Sequence, residues 1–160
     1  MKKIKEIKGF TLVELLAVIA LVAVLSGLAV TNIVSSINNS RKNQFLLDAK
    51  RMISKAEALI AENRDYRTIA QTASGITFRY KNYTLNSGKL VTVKGLNEKG
   101  EFDKDADAGP YNDDTYVKVT YASNKYVYCV YASGSKRHIG TQSSCITKDN
   151  LKDINQVIDN

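Results

Sequence analysis

From Leu15 to Ser40 the chain carries no charged residue, and a single carboxylate, Glu14, stands at the head of that run. A stretch this long and apolar is stable only in lipid or against other apolar surfaces. After Arg41 charges return, and the rest reads as an ordinary water-facing domain, a split that the overall 44% hydrophobic content conceals. Three readings compete for the apolar run. An ordinary export signal has an apolar core of about 7–15 residues followed by a small-residue cut site, and this run is longer. A plain anchor of about 20 residues fits the length but has no use for a carboxylate. An ionisable group inside a membrane segment is costly enough to mark a functional residue whose partner must be found.

The flanking charges orient the segment. Lys2, Lys3, Lys5 and Lys8 against Glu6 put +3 of the chain's +7 before the apolar run, which holds that end on the cytoplasmic side. The remaining +4 is mixed in sign without a basic run, which argues against nucleic acid as a partner. No CxxC, HExxH, GxSxG or phosphate-loop pattern occurs, and the one histidine, His138, lies in a Gly/Ser-rich stretch. No catalytic residues and no enzyme activity are expected.

A partner for Glu14 appears if the chain is cut between Gly9 and Phe10. The cut creates an ammonium group at Phe10, four residues from the carboxylate and at the positive end of a helix. The two charges can neutralise each other within one chain or between neighbours.

The stretch Lys8-Gly9-Phe10-Thr11-Leu12-Val13-Glu14-Leu15-Leu16 resembles the class III signal of type IV pilins and pseudopilins. That resemblance covers residues 2 to about 35 and implies cleavage after Gly9 by a membrane-embedded prepilin peptidase. It further implies N-methylation of Phe10 and an assembly role for Phe10 and Glu14. One departure is plain: many pilins carry a proline in this helix, whereas the only proline here is Pro110, so Gly27 is its weakest point.

Beyond the apolar run the helical period persists. Phe45, Ala49, Met52, Ala56, Leu59 and Asn63 share one face, widened by Ile53 and Ile60. Arg41, Lys42, Asp48, Lys50, Lys55, Glu57 and Glu62 lie mainly opposite. One helix from residue 10 to about 63 would be roughly 80 Å long. Residues 76–86 and 90–96 read as strands, and 116–122 with 125–132 as a hairpin turning at Ser123-Asn124. The expectation is an α+β fold with about four antiparallel strands covered by the amphipathic half of a long helix, as in type IV pilins. The segments are a leader at 1–9, a transmembrane or assembly helix at 10–35 and a globular domain at 36–160.

Two further sets of residues invite chemistry. Asp103, Asp105, Asp107 and Asp114 fall at offsets that partly imitate a calcium loop, but Ala108 replaces its glycine and Asp114 its final Glu. Related pseudopilins bind calcium in a comparable loop, so the resemblance keeps calcium open beside a solvated loop. Cys129 and Cys145 are either two thiols or a bridge; pilins often staple their C-terminal segment in this way. Leu151, Ile154 and Ile158 have the spacing of a short amphipathic turn.

The function implied is a structural subunit that homopolymerises into a type IV pilus for adhesion, motility or aggregation. Its partners would be the peptidase, an assembly ATPase and a platform protein. It would start in the cytoplasmic membrane and finish at the cell surface. A pseudopilus subunit of type II secretion or DNA uptake is the near alternative. A membrane-anchored binding protein that never polymerises is the distant one.

Overall fold

Nothing in the backbone chemistry interrupts the ladder over the first third of the chain, and helix α1 runs Leu12–Glu62, passing through Gly27. The computed structural model describes residues 10–160, the side chains of 28–32 excepted. The leader 1–9, with Gly9, lies outside the described residues. Among the described residues no helix is long and apolar enough to cross a membrane; the described side chains of the apolar run end at Gly27 before resuming at Ile33. The chain divides into two units, one ending at Asn38 and the other spanning Asn39–Asn160.

In the first unit the described apolar side chains have no protein cover. Leu12, Val13, Leu15, Leu16, Ile19, Leu21, Val22, Val24 and Leu25 are all exposed, and successive residues cover the whole circumference. A helix that is apolar all round belongs inside lipid or an assembly.

The second unit builds its core on the C-terminal half of α1. Phe45, Ala49, Met52, Ile53, Ala56, Leu59 and Ile60 are buried, as their spacing requires. Asn63 is the exception. It leaves helical geometry at φ −117° and ψ 119°, and its side chain accepts from the amides of Asp65 and Tyr66. It therefore caps a short second helix, α2 (Arg64–Ala70), as Asn favours. Arg67 donates back to the carbonyls of Ile60 and Ala61, groups that the end of α1 leaves without helical partners.

Eight strands follow: β1 (Ile76–Arg79), β2 (Tyr83–Asn86), β3 (Leu90–Val93), β4 (Tyr116–Ala122), β5 (Lys125–Ser133), β6 (Arg137–Ile139), β7 (Ile146–Thr147) and β8 (Val157–Asp159). The main sheet has the order β1-β4-β5-β6-β8, with β7 also paired to β5, while β2 and β3 form a separate hairpin. Every pairing is antiparallel. The β4–β5 hairpin turns on Ser123 and Asn124, both at positive φ (51° and 63°), the conformation whose twist suits a two-residue hairpin.

The 76–86 stretch breaks into two strands because its middle is claimed elsewhere. The amides of Leu96 and Asn97 donate to the carbonyls of Arg79 and Tyr80, and Asn82 accepts from the amide of Gly95. The C-terminus departs from its helical spacing as well. Asp153 and Gln156 form a capping box around one 3-10 turn, and β8 then joins the sheet. Val157 faces the core while Ile158 is 52% exposed, as strand alternation demands.

Against the helix, the sheet presents Ile76, Phe78, Val117, Val119, Val130 and Ala132, all buried. Phe45 meets Tyr111 at 5.3 Å between ring centroids, and Tyr66 meets Phe78 edge-on at 5.5 Å. Tyr121 is 37% exposed and pairs with Tyr126 at the hairpin tip.

Cys129 and Cys145 form a disulfide, with Cα atoms 5.5 Å apart. It holds the segment after β6 against the sheet. A loop of this size contributes about 3 kcal/mol in a chain-entropy account. Reduction of the full chain should therefore lower its thermal midpoint by roughly 10 °C, measurable by circular dichroism with and without reductant.

Candidate functional site

Two places carry the residues of interest, and each is best read from its hydrogen bonds. At the start of α1, Thr11 precedes the first helical residue and Glu14 sits at the third position. The Glu14 Oε2 atom accepts from the Thr11 amide and from the Thr11 hydroxyl, both at 2.9 Å. The Glu14 amide donates to Thr11 Oγ1 at 3.3 Å. This is a capping box, in which each residue satisfies an amide that the helix start leaves free. The Thr-x-x-Glu spacing is the signal of this box in the sequence. The carboxylate thus has a local anchor on one oxygen. Its other oxygen makes no hydrogen bond to another described residue. Phe10, whose amide would become the new terminus, is 81% exposed.

The second place is the connection between β3 and β4. Its four aspartates are drawn into separate tasks rather than around one point. Asp105 is buried, and its Oδ1 accepts from the amides of Asp107 and Gly109 while its Oδ2 accepts from the amide and hydroxyl of Ser135. Asp107, with its side chain 1% exposed, meets Arg137 Nε at 2.6 Å and Arg41 at 3.2 Å. Asp103 accepts from the Asn97 side chain, and Asp114 from Tyr131 and Gln142. Among the described residues no group of three or more metal-ligating side chains is placed to hold an ion. In this arrangement Asp105 serves turn formation and Asp107 ion pairing.

The arginines that hold Asp107 went unnoticed in the sequence because nothing local marks them. Arg137 also meets Asp159 of β8 at 2.8 Å, and Lys42 of α1 meets the same carboxylate at 3.0 Å. One ion-pair cluster, buried at Asp107 and Arg137, thus joins α1, the 97–114 connection, β6 and the C-terminal strand. The Arg137 side chain beside Asp107 holds its carboxyl below the usual aspartate value, against the opposing effect of burial. Gly134 makes this closeness possible: a Cβ there would collide with the Asp105 carboxylate and come within 2.8 Å of the Phe45 ring.

Asp48 was expected on the polar side of α1, yet it is 5% exposed. The Tyr111 hydroxyl, delivered by the same connection, donates to it at 3.1 Å, and Gln44 and Arg51 complete its shell. Burial, then the neighbouring Asp48 charge, push the Tyr111 hydroxyl far above its ordinary range. Tyr111→Phe leaves one Asp48 oxygen without its donor. It should cost about 1–3 kcal/mol, read as a lower urea midpoint at unchanged slope.

The prokaryotic N-terminal methylation motif matches residues 4–30 of the chain. No curated protein and no solved structure matches it. The motif spans the Gly9-Phe10 pair, the Thr11–Glu14 capping box and the start of the uncovered apolar helix. The globular unit adds the α+β arrangement of a helix on antiparallel strands, consistent with the type IV pilin fold. The methylation motif and the fold together support a type IV pilin-like precursor with a class III signal.

Proposed function

We propose that this chain is the structural subunit of a type IV pilus. It is cut between Gly9 and Phe10, methylated on Phe10 and polymerised through the N-terminal half of α1. One observation carries the reading: within the methylation motif, the described apolar side chains of α1 are exposed around its whole circumference. Before assembly, lipid covers that surface, and residues 10–35 serve as the membrane segment. After extraction, copies of the same helix replace the lipid, so the exposed apolar area favours a polymer. Glu14 pairs with the Phe10 ammonium of a neighbour and sets the stagger between subunits.

The partners follow from those steps. A prepilin peptidase makes the cut, a cytoplasmic ATPase drives extraction, and a platform protein couples the two across the cytoplasmic membrane. The finished fibre stands at the cell surface, where it serves adhesion, motility or aggregation.

Mass spectrometry of fibres sheared from the surface tests the proposal. The expected result is this chain as the main component, beginning at a methylated Phe10. A chain that still begins at Met1, or one cut after the apolar run, would overturn it.

A further inference from the structure

We propose that the outer face of the main sheet binds an acidic sugar, a polyhydroxylated ring carrying one carboxylate. The face turned away from α1 holds an open groove of about 400 Å³, within the size range of small-ligand sites. Arg79, Tyr116, Lys118, Asp113, Asp114 and Gln142 line it. The register sets the layout: Arg79 on β1 is the cross-strand partner of Tyr116 on β4, and Thr77 is the partner of Lys118. Such pairs stand about 5 Å apart, which places Arg79 opposite Tyr116 and Lys118 two residues further along the same strand as Tyr116.

The wall is as defined as the floor. The Tyr116 hydroxyl donates to the carbonyl of Gln142, and the Gln142 side chain donates to Asp114 Oδ2 at 2.8 Å. Gln142 lies in the loop closed by the Cys129–Cys145 disulfide, and Cys129 is the cross-strand partner of Lys118. The disulfide therefore fixes the wall beside the cation.

Charge selects the ligand. Lys118 has no ion pair or hydrogen bond among the described residues, and Arg79 lies over the Tyr83 ring with no carboxylate partner among them. Two uncompensated cations next to each other suit a carboxylate, with Arg79 able to hold it through two parallel bonds. The same groove contains two carboxylates. Asp113 is paired with Lys81 at 2.6 Å, and Asp114 Oδ1 is buried with no hydrogen-bond partner among the described residues. An acceptor left so is costly, and a ligand hydroxyl entering beside Gln142 supplies the donor. A strand of nucleic acid, a repeating polyanion, would meet those carboxylates with its phosphates. One negative charge surrounded by hydroxyl donors fits both signs, and the Tyr116 ring offers an apolar surface to the sugar ring.

The test uses the full chain in a polyoxyethylene detergent, which itself carries no sugar. Ligand-observed NMR follows titration with a glucuronate-terminated disaccharide, its neutral glucose-terminated counterpart and a short single-stranded oligonucleotide. Saturable binding of the acidic sugar is expected, with about tenfold or greater loss for the neutral sugar. Arg79→Gln and Lys118→Gln should each cause a similar loss. Lys50→Gln, on the exposed side of α1 away from the sheet, should change nothing. No saturable binding, equal binding of the neutral sugar, or undiminished affinity in the two groove variants would each overturn the proposal. Tighter binding of the oligonucleotide through the same residues would replace the sugar with nucleic acid. The groove depends on the sheet and the disulfide alone, so its failure leaves the polymerisation reading intact.

Discussion

Cells carrying Glu14→Gln should release at least about 100-fold fewer surface fibres than cells with the native chain, while the membrane pool of the cut subunit persists. The Glu14 side chain has two roles. Glutamine at the third helical position can still accept from the Thr11 amide, so the capping box survives. The charge does not. A neighbour's Phe10 ammonium, once buried among apolar helices, then lacks a counter-ion, a loss of several kcal/mol in such surroundings. At about 1.4 kcal/mol per factor of ten, two such factors are a modest expectation. Glu14→Ala removes both roles and should be no more productive. Quantitative immunoblots of sheared and membrane fractions give the comparison. Normal fibre yield from Glu14→Gln would mean that capping, rather than charge, is what assembly requires.

The second large effect belongs to the globular unit. Asp107→Ala should destabilise the chain by about 3–5 kcal/mol, because it strips a buried arginine of its closest partner. For a unit of this size that corresponds to a fall of roughly 10–20 °C in thermal midpoint. Arg137 keeps Asp159, but that carboxylate is half-exposed and offers less. The pH dependence carries a defined sign. The folded carboxyl of Asp107 titrates below its unfolded value of about 3.9, so its contribution is fully present above that pH. It is lost as pH falls below about 4 toward the folded value, and Asp107→Ala should flatten this part of the stability profile. Midpoints measured from pH 7 down to pH 3 on both chains check the point. A variant that melts with the native chain at pH 7 would show the cluster to be energetically neutral.

These two effects mark different routes from residues to structure. Glu14 was visible in the sequence because a lone carboxylate heads a long uncharged run, and that contrast needs no knowledge of the fold. The cluster around Asp107 was not visible. Its members are Arg41, Asp107, Arg137 and Asp159, scattered through the chain, and only the sheet order brings them together. The same spacing that made Asp103, Asp105 and Asp107 resemble metal ligands places them in a tight connection. There the Asp105 side chain binds backbone amides two and four residues on.

Short-range pattern determined what short-range forces control. Apolar residues without interruption, and then at helical spacing, set α1 almost to its ends. Alternating β-branched and aromatic residues set the β4–β5 hairpin, and Ser123-Asn124 its turn. The methylation motif at residues 4–30 belongs to this class, since it is read as local sequence. Tertiary structure decided whatever depended on a distant partner. Asp48 lies inside because Tyr111 reaches it from another element. The 76–86 stretch splits because residues 95–97 take its hydrogen bonds. Leu151, Ile154 and Ile158 have helical spacing, but β6 offers an edge, and backbone pairing along it turns the last residues into a strand. A helix satisfies its backbone within its own segment, so its sequence suffices to specify it. A strand or a buried charge must find its partner elsewhere in the chain, and that choice is made only when the whole domain closes.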